Sequence, residues 1–329
     1  MFDGGVVLQH VRGYVYSNDY IFYSVWWTVA LFIMIGGYNA YTSYENRGSF
    51  LLKKKLLGIF IPYFFATLLY VIYSSHYLDA VTFLQELIHF NATGPLYYVA
   101  VYIQLLLISP VLIGTIKVCD RKKWVFIIAW VIVIGIGVLT TQYTNVFDIA
   151  LGGGNLFSGP WIFFWFLGMC IKFSEDRVTL KQEWGKWILT VLTIAVAVWQ
   201  YVFVNQGINL KLASMFHGTQ VGMTWANAFE TVLIFFWFKY AVELLERNAG
   251  KIWQAVIRAL SYMGRYTLYI FLYHMLFLSI YRGYLEVSVP IINRWLCLAF
   301  IIIGPILFGL LLKEGRKYFS YIMKEVEVE

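Results

Sequence analysis

Residues 31–70 read LFIMIGGYNAYTSYENRGSFLLKKKLLGIFIPYFFATLLY, which is two apolar runs separated by a short polar joint at 44–55. Each run continues outward to about 20 residues, and about 20 helical residues at a rise of 1.5 Å cross the ~30 Å hydrocarbon core of a bilayer. Gly36 and Gly37 in the first run are small residues of the kind that allow membrane helices to pack closely. The stretch therefore predicts a hairpin of two transmembrane helices.

The composition extends this interpretation to the whole chain. Of 329 residues, 60% are hydrophobic and only 13% are charged, and the mean hydropathy is +0.69. A soluble domain carries roughly 25% charged residues to coat its surface. Half of that supply leaves most of the outer face apolar, so we predict an integral membrane protein that is embedded in the lipid bilayer.

Apolar runs of membrane-spanning length recur along the sequence, without an internal repeat or a soluble domain between them. We therefore predict an all-α, polytopic membrane protein with about ten transmembrane helices in one domain, residues 1–329. The first run is short and has no basic residue ahead of it, so we expect a helix truncated at its start. A short, tilted first helix held by its neighbours is the alternative. The runs lie near 2–17, 20–43, 56–75, 95–116, 124–141, 159–173, 187–205, 220–240, 261–281 and 288–312.

Lysine and arginine mark alternate joints between the runs. Four joints and the C-terminal tail each carry four basic residues, which together make 20 of the 25 in the chain. Positive joints of multi-pass proteins face the cytoplasm, so we predict a protein of the cell membrane (plasma or inner membrane) with both termini cytoplasmic. The net charge of +7 then reflects topology, and we expect no nucleic-acid partner. The marked positions are Arg47, Lys53, Lys54, Lys55, Lys117, Arg121, Lys122, Lys123, Lys172, Arg177, Lys181, Lys186, Lys239, Arg247, Lys251, Arg258, Lys313, Arg316, Lys317 and Lys324.

Ionisable residues inside apolar runs are costly and by default mark function. His10 lies in the first run, Glu230 in the eighth and His274 in the ninth. A neutral imidazole can accept a proton at cellular pH and so act as a general base. The same side chain can instead form only a hydrogen bond between helices. These residues by themselves are compatible with two functions, an enzyme and a transporter.

Four segments, taken in order, resemble the acyltransferase family 3 proteins, which are membrane enzymes that O-acylate cell-surface sugars. In the hairpin, FIMIGGY at 32–38, Phe50, Lys54, Lys55 and IFIPY at 59–63 resemble a family pattern of S-G-[FY], F-x-x-[KR]-R and R-I-x-x-P-Y. Three later segments resemble the family as well, and the resemblance covers nearly the whole chain. They read GPLYYVAVYIQLLLISPVL at 94–112, GPWIFFWFLGMCI at 159–171 and LSYMGRYTLYIFLYHMLFL at 260–278.

The resemblance implies site residues position by position. His10, within VVLQH, matches the family's essential first-span histidine and is implied to be catalytic, as a general base or as a nucleophile that carries the acyl group. His274 matches the late histidine, and both it and Glu230 are candidates for a catalytic or a structural role. Two departures are visible. Gly58 replaces the basic residue usual before I-x-x-P-Y, and the arginine usual upstream of the first histidine has no counterpart.

The implied reaction moves an acyl group, with acetyl favoured, from cytoplasmic acyl-CoA to a hydroxyl of an extracytoplasmic polysaccharide or glycolipid. Tyr97 and Tyr98 would stack on the acceptor sugar or, alternatively, anchor their helix at the membrane interface. The anionic donor would be bound by the basic residues of the hairpin joint, Arg47, Lys53, Lys54 and Lys55.

Acyl-CoA would be a co-substrate, and we expect no permanently bound cofactor. We also expect no metal, because Cys119, Cys170 and Cys297 match no ligand spacing. The alternative function is a transporter or flippase for a cell-surface glycan. Against it, the sequence lacks paired Gly/Pro-broken spans in two symmetric halves, the usual indication of alternating access.

Overall fold

A computed structural model describes residues 3–77, 79–143, 156–175, 182–205, 225–248 and 250–326. These ranges are almost entirely helical, and the strand-like pairing within them is an isolated bridge between Arg12 and Tyr16. The all-α prediction is confirmed. The helices are α1 (Asp3–His10), α2 (Asp19–Ser24), α3 (Thr28–Arg47), α4 (Leu52–Ser75), α5 (Ala80–His89), α6 (Tyr97–Arg121), α7 (Lys123–Gln142), α8 (Ile162–Glu175), α9 (Gln182–Asn205), α10 (Trp225–Asn248), α11 (Lys251–Gly264), α12 (Thr267–Ile280) and α13 (Pro290–Val326).

Six helical segments of the described chain are long and apolar enough to cross a membrane, which confirms the multi-pass membrane class. α8 and α12 lie where two further spans are predicted but have only 14 residues each. The number of spans, about ten, stays a prediction. The six segments are Tyr20–Arg47, Leu52–Ser75, Gly94–Arg121, Lys123–Thr141, Trp184–Val202 and Pro290–Lys313.

The first predicted span, near 2–17, is wrong in extent. α1 ends at His10, and a compact turn follows in which the Gly13 N–H donates to the Tyr16 carbonyl oxygen over 2.7 Å. Gly13 has φ +81°, a left-handed conformation within this turn that glycine adopts without a steric cost. The hydrophobic pattern missed this break because apolar residues continue on both sides of Gly13.

Two further helices occupy polar joints between the predicted spans. α5 begins after Asp79, whose carboxylate accepts hydrogen bonds from the backbone N–H groups of Val81 and Thr82 at 3.1 and 3.2 Å. Such an N-cap satisfies donors that have no partner inside the helix. α11 exposes most of its side chains. The joints therefore contain local helical structure that span-length hydropathy does not detect.

Contacts divide the chain into two compact units, residues 1–19 with 255–329 and residues 20–254. In the first unit, α1 packs on α12 and α13. Apolar side chains fill the space between these helices and form the unit's core, among them Val7, Val11, Ile270, Cys297 and Ile301.

Glycines bring α3 and α8 of the second unit into backbone contact. A methyl group on Gly37 would overlap with the carbonyl oxygen of Trp165, and one on Gly168 with the carbonyl oxygen of Met34. The Trp165 indole is fully buried and donates from Nε1 to Ser109 Oγ of α6 at 3.0 Å. The prediction that small residues in this run allow close packing is confirmed, and this unit's core lies where α3, α6 and α8 meet.

Basic side chains join the C-terminal ends of the same three helices. Lys117 of α6 lies over the ring of Tyr44 in α3, with Nζ 4.5 Å from the ring centre. Lys172 of α8 is paired with Glu45 of α3 at 3.7 Å. Basic joints that are far apart in sequence therefore meet at one end of the second unit.

Candidate active site

Two histidines lie next to each other in the first unit. His10 is the last residue of α1, and His274 lies in the middle of α12. Their ring centres are 5.1 Å apart, with the ring planes at 43°. His274 is buried and His10 is partly exposed. Because α1 packs on α12, the fold brings together two imidazoles that are separate candidates in the sequence.

The hydrogen bonds of His274 decide which of its ring nitrogens is free. Nδ1 lies 2.8 Å from the carbonyl oxygen of Phe271 and 3.1 Å from that of Ile270. A carbonyl oxygen only accepts, so Nδ1 carries the proton and the neutral ring has its lone pair on Nε2. Nε2 is buried and has no hydrogen-bond partner within the described ranges. An unsatisfied buried acceptor is costly, so this atom is suited to accept a hydrogen bond from His10 or from a substrate hydroxyl.

Asn293 at the start of α13 holds the turn that follows His10, and the sequence pattern did not identify it. Its Nδ2 donates to the Tyr14 hydroxyl at 3.1 Å, while its Oδ1 accepts from the Tyr281 hydroxyl at 2.7 Å and from the Val287 N–H at 3.0 Å. One nearly buried amide thus links the turn after α1 to the π-helical turn after α12. The signal that could have identified it is an amide residue at the edge of an apolar run.

A comparison of the sequence with known families adds the deciding observation. Residues 4–314 match the sequence profile of the acyltransferase 3 family, described as an acyltransferase domain. The chain belongs to the acyltransferase 3 family. The matched range includes both histidines, and membership makes the protein a membrane acyltransferase. No curated protein and no solved structure matches the chain.

In this acyltransferase, the predicted donor-binding residues surround the turn between α3 and α4 in the second unit. Arg47 is the last residue of α3, and Gly48 ends that helix with φ +67°. Positive side chains at a helix N-terminus add to the partial positive charge of the helix dipole instead of compensating it. The first turn of α4 carries Lys53, Lys54 and Lys55, so positive charge is concentrated at this turn. Its role in donor binding stays a prediction.

Tyr97 and Tyr98, the predicted acceptor-binding residues of this acyltransferase, begin α6. They lie at the opposite end of α6 from Lys117, a separation of roughly 30 Å for a helix that rises 1.5 Å per residue. Both rings are half-buried, and the Tyr98 ring centre is 5.7 Å from that of Tyr102. The two tyrosines and the basic helix ends thus occupy opposite ends of one helix.

Glu230 of α10 belongs to the second unit and is almost fully buried. Its Oε1 accepts a hydrogen bond from the Gln200 side chain of α9, while Oε2 has no partner among the described residues. This contact joins the two helices, which suits the structural alternative. Whether Glu230 also has a catalytic role stays a prediction.

Proposed function

We propose that the protein is an O-acyltransferase. It transfers an acyl group, with acetyl favoured, from cytoplasmic acyl-CoA to a hydroxyl of an extracytoplasmic polysaccharide or glycolipid. The observation that carries the proposal is the histidine pair, His10 and His274, in a chain of the acyltransferase 3 family. A thioester is already activated, so transfer needs mainly a base for the incoming hydroxyl. His10, partly exposed beside the buried His274, supplies that base.

In the proposed reaction, His10 takes the proton of the acceptor hydroxyl while the hydroxyl oxygen attacks the thioester carbonyl carbon. The tetrahedral intermediate expels CoA thiolate as the C–S bond breaks, and the proton on the His10 imidazolium passes to sulfur. The products are the O-acylated glycan and free CoA. In the alternative course, His10 attacks the thioester first and carries the acyl group to the acceptor.

His274 has a positioning role in this scheme. Its Nδ1 proton is committed to the Phe271 carbonyl oxygen at 2.8 Å. Its Nε2 lone pair can therefore accept an N–H from His10 and hold that ring in one tautomer. The other ring nitrogen of His10 then keeps its lone pair and is available to take the proton of the acceptor hydroxyl.

The charge distribution supports the sidedness of the proposal. The positive-inside rule assigns the basic joints and both termini to the cytoplasm of a cell-membrane protein. Arg47 and the lysines of the first turn of α4 would then meet the anionic donor as it arrives. Tyr97 and Tyr98, at the other end of α6, would lie on the acceptor side.

The test is transfer of labelled acetyl groups from acetyl-CoA to glycan in membranes that contain the protein, with release of the label by mild base. His10→Ala and His10→Gln should each lower transfer by roughly 10²–10⁴-fold, because glutamine keeps polarity but loses the base. His89→Gln, which changes an exposed histidine at the end of α5, is the matched control and should leave transfer unchanged. Protein level and membrane insertion are measured for each variant.

Two results would contradict the proposal. Glycan export without any label on the glycan would favour the transporter instead. Transfer above about a tenth of the wild-type rate in a correctly inserted His10 variant would remove His10 from the chemistry, since loss of a general base costs far more than tenfold.

A further inference from the structure

An open cleft of about 930 Å³ lies where the C-terminal ends of α3, α6 and α8 converge in the second unit. Small-molecule sites in proteins have volumes of roughly 300–1,000 Å³, so the cleft can hold a ligand of nucleotide size. None of the residues predicted above for catalysis, donor binding or acceptor binding lines it.

The cleft has an excess of positive charge. Two carboxylates also line it, Glu45 and Asp120, but Glu45 is paired with Lys172 at 3.7 Å. Ammonium and guanidinium groups bind phosphate oxygens through charge-assisted hydrogen bonds, and arginine does so with two parallel donors. The ion pairs found within the described ranges do not involve the three basic residues of the lining, which are Lys117, Arg121 and Lys122.

Aromatic rings form another part of the lining. Tyr41 and Phe173 meet edge to face, with ring centres 6.0 Å apart, and both border the cleft. Flat heterocycles such as adenine bind against aromatic faces. Tyr41 is buried and packs behind Phe173, whose partly exposed ring is the aromatic surface in the cleft that a purine could contact.

We propose that this cleft binds the phosphorylated adenosine end of the acyl-CoA donor, with Lys117, Arg121 and Lys122 on the phosphates and the Phe173 ring, supported by Tyr41, beside the base. The inference rests on the proposed function, since it assigns a subsite to that donor. The cleft lies at the C-terminal end of α3, which ends at Arg47 and is followed in sequence by the lysines of α4. The proposed subsite and the predicted donor-binding turn are therefore neighbours in sequence.

A helix-dipole role and a lipid-headgroup role for these basic residues lead to different predictions. Basic side chains in the last turn of a helix stabilise its negative dipole end, and basic residues near a membrane surface bind anionic lipid headgroups. A dipole role requires no ligand, and a headgroup role requires no affinity for adenosine. The binding experiment must therefore use a nucleotide probe and a lipid probe.

The experiment measures binding of CoA and of adenosine 3′,5′-bisphosphate to the purified full chain in neutral detergent. The variant carries Lys117→Gln, Arg121→Gln and Lys122→Gln. Its affinity for both probes should fall by roughly tenfold or more, because several charge-assisted hydrogen bonds are lost. In the transfer assay its KM for acetyl-CoA should rise while kcat is kept, since phosphate contacts contribute mainly uniform binding.

The matched control carries Lys186→Gln, Arg247→Gln and Lys251→Gln, which remove three exposed basic residues from other basic joints. It should bind both probes as the wild type does, and size-exclusion profiles check the fold of both proteins. Normal CoA affinity in the cleft variant would overturn the subsite and leave the proposed function standing. A wild type that binds phosphatidylglycerol at these residues but not the bisphosphate would make the cleft a headgroup site and overturn the subsite too. A wild type that neither binds CoA nor transfers acetyl would refute the proposed function itself.

Discussion

His274 shows how local bonding gives a buried polar residue a defined chemical state. Its Nδ1 bonds to carbonyl oxygens one turn earlier in its own helix, so the proton position does not depend on another helix. The unmet hydrogen-bonding capacity is left on Nε2, which only a neighbour or a substrate can satisfy. Asn293 acts in the complementary way, because its amide bonds to groups from two separate segments, the turn after α1 and the π-helical turn after α12. One residue sets a tautomer, and the other sets the position of the turn beside His10.

At the residue scale, we predict that His274→Gln keeps transfer within about tenfold of the wild type and that His274→Phe loses roughly 10–100-fold in kcat. Glutamine retains an acceptor that can orient His10, whereas phenylalanine retains only the ring, and mispositioning of a catalytic group typically costs of this order. The KM for acetyl-CoA should be unchanged in both. Equal losses in the two variants, with normal protein levels, would show that a hydrogen-bond acceptor at this position is not what orients His10.

Glu175 at the end of α8 connects three helices through its carboxylate. The Tyr38 hydroxyl of α3 donates to Oε2 at 2.5 Å, Lys172 Nζ lies 3.2 Å from the same oxygen, and Lys239 of α10 bonds to Oε1. Partial burial acts to raise the pKa of Glu175, but the hydrogen bonds from Lys239, Tyr38 and Lys172 and the charge of Lys239 outweigh it and lower the pKa to about 2. Ionised Glu175 therefore stabilises the packing of α3, α8 and α10.

At the element scale, Glu175→Gln should lower the free energy of unfolding of the detergent-solubilised protein at pH 7 by roughly 1.5–3 kcal/mol, as for hydrogen bonds to charged groups. A folded pKa below the ordinary value of 4.5 gives stabilisation that is complete above pH 4.5 and is lost as the pH falls toward about 2. The difference between the variant and the wild type should therefore shrink between pH 5 and pH 3. Glu246→Gln, an exposed residue of α10, is the control and should cause little change at either pH. A deficit that is equally large at pH 7 and pH 3 would contradict the ionic origin of the stabilisation.

The proposed chemistry draws on both units of the molecule. The histidine pair lies in the unit formed by residues 1–19 and 255–329. The basic cleft and the adjacent residues Tyr97 and Tyr98 lie in the unit formed by residues 20–254. Within the second unit, the basic ends of α3, α6 and α8 lie together, and Tyr97 and Tyr98 lie at the other end of α6. The proposed donor side and the proposed acceptor side are therefore at opposite ends of α6, as transfer of a group between two sides of a membrane requires.

At the whole-molecule scale, impermeant thiol reagents applied to intact cells should label a cysteine at Tyr77 and not one at Lys186. Tyr77 is 67% exposed in a joint without lysine or arginine, and Lys186 is exposed in a basic joint that the positive-inside rule places in the cytoplasm. The background should be low because the three native cysteines are buried. Labelling of Lys186→Cys in intact cells, or of Tyr77→Cys only after permeabilisation, would reverse the predicted orientation.

The sequence by itself determined the all-α membrane class, the close packing of the first quoted run and the acyltransferase 3 family. Hydrophobic length, charge spacing and local motifs are properties of contiguous residues, so they can be recognised without coordinates. It also identified His10 and His274, but only as separate polar residues in apolar runs.

Only the tertiary structure decided that α1 ends at His10, that the two imidazoles lie 5.1 Å apart and that Asn293 holds the adjoining turn. It likewise placed Lys117 and Arg121 beside Tyr41 and Phe173 in one cleft, where the sequence shows only topology signals. The physical reason is that such sites are built from side chains on different helices. Which helix faces meet is set by packing around buried glycines and apolar cores, and a uniformly hydrophobic run does not reveal which of its faces will be inside.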